Sequence, residues 1–149
     1  RMDTLNLPDY SALLKIKAQA GLIFDPLRQK FVALTPEEWV RQNIVQHLSA
    51  LGFPQGLMAS EHPIEYNGLR KRCDIVVFNR KAQPCLIVEC KAPGVAISQK
   101  VFDQIATYNL KLNVNYLIVS NGLRHFCCRI NANGQVEFLP EFPQPADVL

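Results

Sequence analysis

Between residues 73 and 91, two apolar runs, Ile75-Val76-Val77-Phe78 and Leu86-Ile87-Val88, flank the polar loop Asn79-Arg80-Lys81-Ala82-Gln83-Pro84. Short, β-branched runs bounded by turn residues read as strands buried on both faces, so they ask for a sheet covered on both sides. A loop of this length suits two neighbouring antiparallel strands. Charge breaks both runs, however: Asp74 opens the first, and Glu89 and Lys91 close the second. Ionised groups are almost never fully buried without partners, because unpaired burial costs several kcal/mol. Any fold adopted by this chain must reward three such groups.

The rest of the chain supplies the layers. Thr35 as N-cap, Pro36 at the first helical position and Glu38 three residues after Thr35 form a capping box. Val40, Ile44, His47, Leu48 and Leu51 follow at helical spacing and Gly52 and Pro54 end the run, which predicts a helix over 36–51. Asn67-Gly68, Asn121-Gly122 and Asn133-Gly134 are hairpin signals, giving strands near 59–66, 70–79, 85–91, 115–120, 123–130 and 135–139. Ser98 caps a second helix over about 98–112, with Val101, Ile105, Tyr108 and Leu112 as its buried stripe. Leu22-Ile23-Phe24 and Phe31-Val32-Ala33, separated by Asp25-Pro26, suggest a hairpin at the end of an irregular arm over 1–34. The expected organisation is that arm, a domain over 35–139 and a loosely held Pro-rich tail over 140–149, in one domain overall. The order is helix, three strands, helix, strand and a final hairpin. It makes an α/β sandwich with a mixed sheet whose third and fourth strands run parallel.

Composition narrows the function classes. At 149 residues, with 48% apolar and 19% charged side chains, the chain is a globular protein able to fold without staples. A formal charge of +3 permits a nucleic-acid partner without demanding one. Five cysteines (Cys73, Cys85, Cys90, Cys127 and Cys128) without a CxxC pair read as free thiols, not as a disulfide or zinc framework. They suit a reducing, cytoplasmic setting. No apolar run reaches the roughly 18 residues of a membrane span.

The three embedded charges can share one place. Glu89 and Lys91 are two apart and project from the same strand face. Symmetric pairing around the loop sets Phe78 opposite Cys85 and Asp74 opposite Glu89, with Cβ atoms roughly 4.5–5.5 Å apart. Two carboxylates that close repel by about 3 kcal/mol at an effective dielectric of 20. A divalent cation turns the repulsion into binding, and an all-oxygen site suits magnesium. Lys91 beside it can position a water or offset charge on a phosphate. A register slip of one residue would turn Asp74 to the other face, and Lys91 could instead simply pair with Asp74 or Glu89.

These residues also resemble a known family. Lys71-Arg72-Cys73-Asp74-Ile75-Val76-Val77-Phe78 followed by Leu86-Ile87-Val88-Glu89-Cys90-Lys91-Ala92-Pro93 is similar to the PD-(D/E)xK nuclease signature. The form is that of the type I restriction enzyme R-subunit N-terminal domain, with Cys73 where the signature name has proline. The resemblance implies a restriction-endonuclease-like αβββαβ core, Asp74 and Glu89 as metal ligands and Lys91 as the catalytic lysine, with Mg2+ as cofactor and Mn2+ as substitute. Gln104 and Tyr108 resemble the QxxxY motif of such nucleases and, four apart on a helix, would meet site or substrate together. Pro36-Glu37-Glu38 resembles the first-helix segment that carries a further acidic ligand. Glu38 is the choice there, although it also completes the capping box; Glu61 and Glu65 are weaker candidates.

The implied function is metal-dependent hydrolysis of DNA phosphodiester bonds, in a restriction-modification setting. The alternative is a nuclease-fold DNA-binding or accessory module without independent turnover. No GxxxxGK[ST] motif is present, so ATP-driven translocation is expected only from a separate motor or specificity protein. Arg70-Lys71-Arg72, Arg80-Lys81, Lys100 and Lys111 are candidates for a phosphate-facing rim.

Overall fold

The computed structural model describes residues 2–149. Its strands are β1 (Ile16–Lys17), β2 (Leu22–Asp25), β3 (Lys30–Ala33), β4 (Met58–Tyr66), β5 (Leu69–Phe78), β6 (Pro84–Cys90), β7 (Tyr116–Ser120), β8 (His125–Ile130) and β9 (Val136–Leu139). The helices are α1 (Pro36–Leu51), α2 (Gln99–Lys111) and a final turn α3 (Pro145–Val148). Strands β4 to β9 form one sheet in sequence order, and β1 to β3 form a separate antiparallel sheet. Only β6 and β7 pair in parallel, since α2 carries the chain back between them. Helices α1 and α2 and the six strands of the large sheet lie within two residues of their sequence-predicted limits, whereas α3 is not among the sequence-predicted elements.

Capping works as the side chains dictate. Thr35 Oγ1 accepts the Glu38 N–H at 3.0 Å, and Gly52 ends α1 with φ of 109°. The Ser98 hydroxyl accepts the Val101 N–H and starts α2. Helix α1 packs Val40, Ile44, Val45 and Leu48 onto one sheet face with Ile75, Val77, Leu86, Val88 and Ile118. Helix α2 packs Phe102 and Ala106 onto the other, with Val76, Ile87, Leu117 and Val119. The central strands are therefore buried on both faces, which accounts for their near-continuous apolar sequence.

The β4–β5 hairpin changes face halfway along. Asn67 (φ 50°) and Gly68 (φ 78°) both take the left-handed conformation that a tight two-residue turn requires. From Met58↔Val77 to Tyr66↔Leu69 the register is constant, yet the pair expected between Glu61 and Asp74 is missing. Glu61 itself sits at φ of 51°, which is uncommon for a residue with a side chain. Met58 and Ile75 join the core beneath α1, whereas Ile64 and Cys73 join the core beneath α2. Residues separated by an even number normally share a face, so the hairpin rolls over at Glu61 and Asp74. A second irregularity lies between Val77 and Phe78, and it sets Phe78 against Pro84 in place of the expected Cys85.

Both ends of the chain are held down. The Asn6 N–H donates to the Gly122 carbonyl at 2.8 Å, Trp39 Nε1 donates to the Asp3 carbonyl at 2.9 Å, and the Tyr10 hydroxyl bonds His47 Nδ1 at 2.6 Å. Asp25, at the end of β2, is fully buried and accepts bonds from Ser60 on β4, the Leu27 N–H and Arg28. The tail departs from expectation. Far from being loosely held, it buries Pro143 and Val148 and stacks Phe142 edge-on against His47 and His125. Its prolines shape a docked segment because an aromatic side chain precedes them and anchors it. We predict that Phe142→Ala lowers the unfolding free energy by about 2 kcal/mol. Denaturant titration checks this, and an unchanged midpoint would mean the tail adds nothing to stability.

Candidate active site

Val76 and Ile87 face each other across β5 and β6 in the core beneath α2. Two residues further along β6 the pleat turns Glu89 toward that same side, while Asp74 stands where β5 rolls over, close enough for its charge to act on Glu89. The paired ladder stops one step earlier, at Ile75↔Val88. Beyond it the strands part, and the Asp74 carboxylate takes the place of a backbone partner: its Oδ2 accepts the Cys90 N–H at 2.7 Å. Strand β6 continues toward β7 instead, with the Lys91 N–H donating to the Ser120 carbonyl at 2.8 Å. The side chains of Asp74 and Glu89 keep 22% and 12% of their exposure, enough to meet solvent at the mouth of this wedge.

Cations crowd around the two acids. Arg41 of α1, itself buried, lies 3.6 Å from Asp74 Oδ1 and 2.6 Å from Glu61 Oε1. Lys71 of the rolled-over hairpin reaches Glu89 Oε1 at 2.7 Å. Among the described residues Lys91 has no carboxylate within 4.0 Å, although its charge acts on both Glu89 and Glu37. Burial, and next the charge of Asp74, push the Glu89 carboxyl up to about 7, against the opposing pull of Lys71 and Lys91. Asp74 is raised as well, first by burial, despite the Cys90 N–H and Arg41. Burial works against the charge of Arg41, but Glu38, Glu61 and Asp74 outweigh it and raise its pKa.

Glu38 is engaged elsewhere. Its two carboxylate oxygens accept Arg28, Nε and Nη2 of Arg41 and the Gln42 amide, and the residue is 5% exposed. Those partners occupy both carboxylate oxygens of Glu38. Glu38 braces Arg41, and Arg41 in turn faces Asp74. Its neighbour Glu37 is exposed but feels the site's charges: burial and then Asp74 raise its pKa, with Arg41, Lys91 and Glu61 also acting on it. One helical residue is about 100° of rotation, which a sequence pattern cannot choose between.

Gln104 and Tyr108 lie on the outer face of α2, with Tyr108 41% exposed, and among the described residues neither makes a side-chain hydrogen bond. Tyr108 thus leaves the buried stripe expected for it; Phe102, Ala106 and Asn109 are the buried residues of α2. Lys100 and Lys111 flank the pair on the exposed surface. Arg70 pairs with Glu65 near the hairpin turn, and Lys71, expected at a solvated rim, is folded inward. Arg41 and Lys71 escaped the sequence pattern. Lys71 carried one signal, two residues before the buried Cys73 and thus on its face, but only the roll-over of the hairpin points it at Glu89. The thiols are spectators: burial raises Cys73, Cys127 and Cys128 to about 12 and Cys85 to about 11.

The donor set can be matched to a cation. Asp74 Oδ1 and Glu89 Oε2 accept no hydrogen bond among the described residues. No group of three or more His, Cys, Asp or Glu side chains there is arranged to enclose a metal. Two carboxylates without a full cage fit magnesium, which keeps several waters and binds through one or two carboxylates plus substrate oxygens.

A carboxyl held at about 7 in the folded chain and at its ordinary 4.5 when unfolded keeps its proton longer in the fold. Without metal, the contribution of Glu89 to stability is therefore fullest below about pH 4.5, falls as pH rises toward 7, and levels off above. His47 and His125, pushed down by burial, act with the opposite sign, so the comparison must be with a variant. In chelator, we expect the melting temperature of wild type minus that of Glu89→Gln to decline by several degrees from pH 5 to 7. Parallel curves would remove the buried-carboxyl assignment.

Residues 36–143 match the family model described as the type I restriction enzyme R protein N terminus (HSDR_N). Among solved structures, the chain is similar to the fragment assigned as an HsdR subunit of a type I restriction enzyme from Vibrio vulnificus YJ016. The TM-score is 0.55 at 19% identity, over 77% of this chain and 24% of that one. It is also similar to a protein from Anabaena variabilis ATCC 29413 assigned as a nuclease of the DUF820 group. There the TM-score is 0.52 at 15% identity, over 80% of each chain. These likenesses show the fold, and the chain spans about a quarter of the Vibrio fragment. No curated protein matches it in sequence. Among the described residues no helix is long and apolar enough to cross a membrane.

Proposed function

Because the chain belongs to the type I restriction enzyme R protein N terminus (HSDR_N) family, we propose that it is a magnesium-dependent nuclease hydrolysing DNA phosphodiester bonds at Asp74, Glu89 and Lys91. The observation that carries this reading is the wedge between β5 and β6. Two mutually repelling carboxylates meet there, and each keeps one oxygen without a hydrogen bond.

Asp74 and Glu89 would hold the ion, with Mn2+ able to replace Mg2+; Glu37 is near enough to act on Asp74 electrostatically. Bound there, magnesium supplies Lewis-acid polarisation of a phosphoryl oxygen and a water of lowered pKa. The Cys90 N–H fixes the Asp74 carboxylate, so that group need not reorganise when substrate arrives. Lys91, without an ion pair among the described residues, orients the attacking water or offsets the charge that grows on the phosphate. Water adds at phosphorus, the bond to one ester oxygen breaks, and that oxygen leaves with a proton. Gln104 and Tyr108, between Lys100 and Lys111, offer a polar and cationic strip for the strand. A separate motor or specificity protein would supply translocation and sequence choice. The free thiols suit a reducing, cytoplasmic setting.

One observation favours a second reading, a nuclease-fold accessory module without turnover. Arg41 and Lys71 already stand beside Asp74 and Glu89, so the charges can be balanced with no metal at all.

Cleavage of supercoiled and linear DNA in Mg2+ or Mn2+ separates the two. Wild type is expected to nick or degrade DNA, with Asp74→Ala and Lys91→Ala each slower by about 100-fold or more. Activity that survives Asp74→Ala would end the catalytic assignment. In melting experiments Mg2+ should raise the wild-type midpoint by mass action and leave Glu89→Gln unmoved. Equal wild-type midpoints with and without metal would favour the accessory module.

A further inference from the structure

The carboxylate of Glu89 is paired, but not with the lysine that follows it on β6. Its partner is Lys71, which arrives from the far half of the β4–β5 hairpin at 2.7 Å with both side chains largely covered. The contact exists only because the hairpin rolls over at Glu61, where φ is 51° and the Glu61/Asp74 pairing fails. Lys91 meanwhile has no carboxylate within 4.0 Å among the described residues. Charge that the pocket needs is thus supplied by a tethered ammonium ion on a flexible stem, at the oxygen-rich mouth where a cation is proposed to bind. An ammonium group and a divalent ion that both seek Glu89 exclude one another by position and by repulsion.

We propose that Lys71 is a built-in occupant of the cation position at Glu89, that a divalent ion displaces it, and that the released ammonium then contacts a phosphate of the bound DNA strand. This rests on the cation reading of the site given above. Lys71 becomes a positioning residue that links metal occupancy to DNA affinity. Without metal, its charge is spent on Glu89. With metal, the same charge is free at the rim beside Arg72, which is exposed. The structural cause is local, since the lysine stem can swing while the hairpin stays packed through Ile64 and Cys73.

The test uses the full chain and Mn2+ alone, by titration calorimetry at about pH 8, on wild type, Lys71→Gln and Lys71→Arg. Lys71→Gln is expected to bind Mn2+ at least about fivefold more tightly than wild type, and Lys71→Arg, which keeps a competing charge, near the wild-type value. Equal affinity of wild type and Lys71→Gln would overturn the displacement, while leaving the metal site standing. Mn2+ bound by neither protein would remove the cation reading and this inference together. Binding by Lys71→Gln alone would be its extreme form. The second half is read from duplex affinity with and without Ca2+. The gain on adding Ca2+ should be several-fold larger for wild type than for Lys71→Gln, and equal gains would remove the phosphate contact. Circular dichroism melting of each variant confirms that it is folded, and Lys71→Met, which also removes the charge and carries the same expectation, replaces Lys71→Gln should that variant not fold.

Discussion

Two carboxylates on adjacent strands repel, and in a half-buried setting neither water nor the sheet relieves them. In this protein Asp74 and Glu89 stand in that relation, and Glu89 is consequently pushed up to about 7. The structure answers with geometry before charge. The strands part after Ile75↔Val88, and the Asp74 carboxylate fills the gap by accepting the Cys90 N–H. A ladder bond is exchanged for a charge-assisted one, which is the stronger kind. Cations then arrive from two directions, Arg41 from the helix on one face and Lys71 from the hairpin that rolls onto the other.

Much of the remaining architecture can be traced back to that wedge. Arg41 is buried and would be expensive alone, and it is carried by Glu38 and Glu61. Glu38 in turn is shared with Arg28, whose other partner is the fully buried Asp25 of the small N-terminal sheet. A chain of alternating charges therefore runs from β2 through the first turn of α1 to Asp74. The N-terminal strands, which might pass for an appendage, supply its outer end. Such a relay explains why acidic residues cluster at the start of α1, where the helix dipole also favours them.

The family relationship and the local chemistry support one another without being the same observation. Similarity over residues 36–143 places the chain among R-protein N-terminal domains, and low-identity structural likenesses add only that the fold is shared. The wedge is a property of this chain's own geometry. Its open carboxylate oxygens point to a cation, its tethered ammonium and guanidinium groups point to balance without one, and the two become compatible if Lys71 is mobile.

What was written in the sequence is whatever depends on near neighbours along the chain. Capping residues, Asn-Gly turns and apolar runs set α1, α2 and every strand of the large sheet. Equal spacing from a six-residue loop set the register up to Ile75↔Val88, one step short of Asp74 and Glu89, even with the local slip at Phe78. Tertiary structure decided the rest, because it turns on how elements roll against each other. A rotation of about 100° per residue on α1 gave Glu38 to the ion chain and left Glu37 exposed. The same angular uncertainty on α2 left Tyr108 outside the core. The hairpin's change of face at Glu61 depends on a backbone conformation that no residue type there announces, and it alone brings Lys71 to Glu89. The docked tail is of that kind too, since Phe142 finds His47 and His125 only after both have been folded into place.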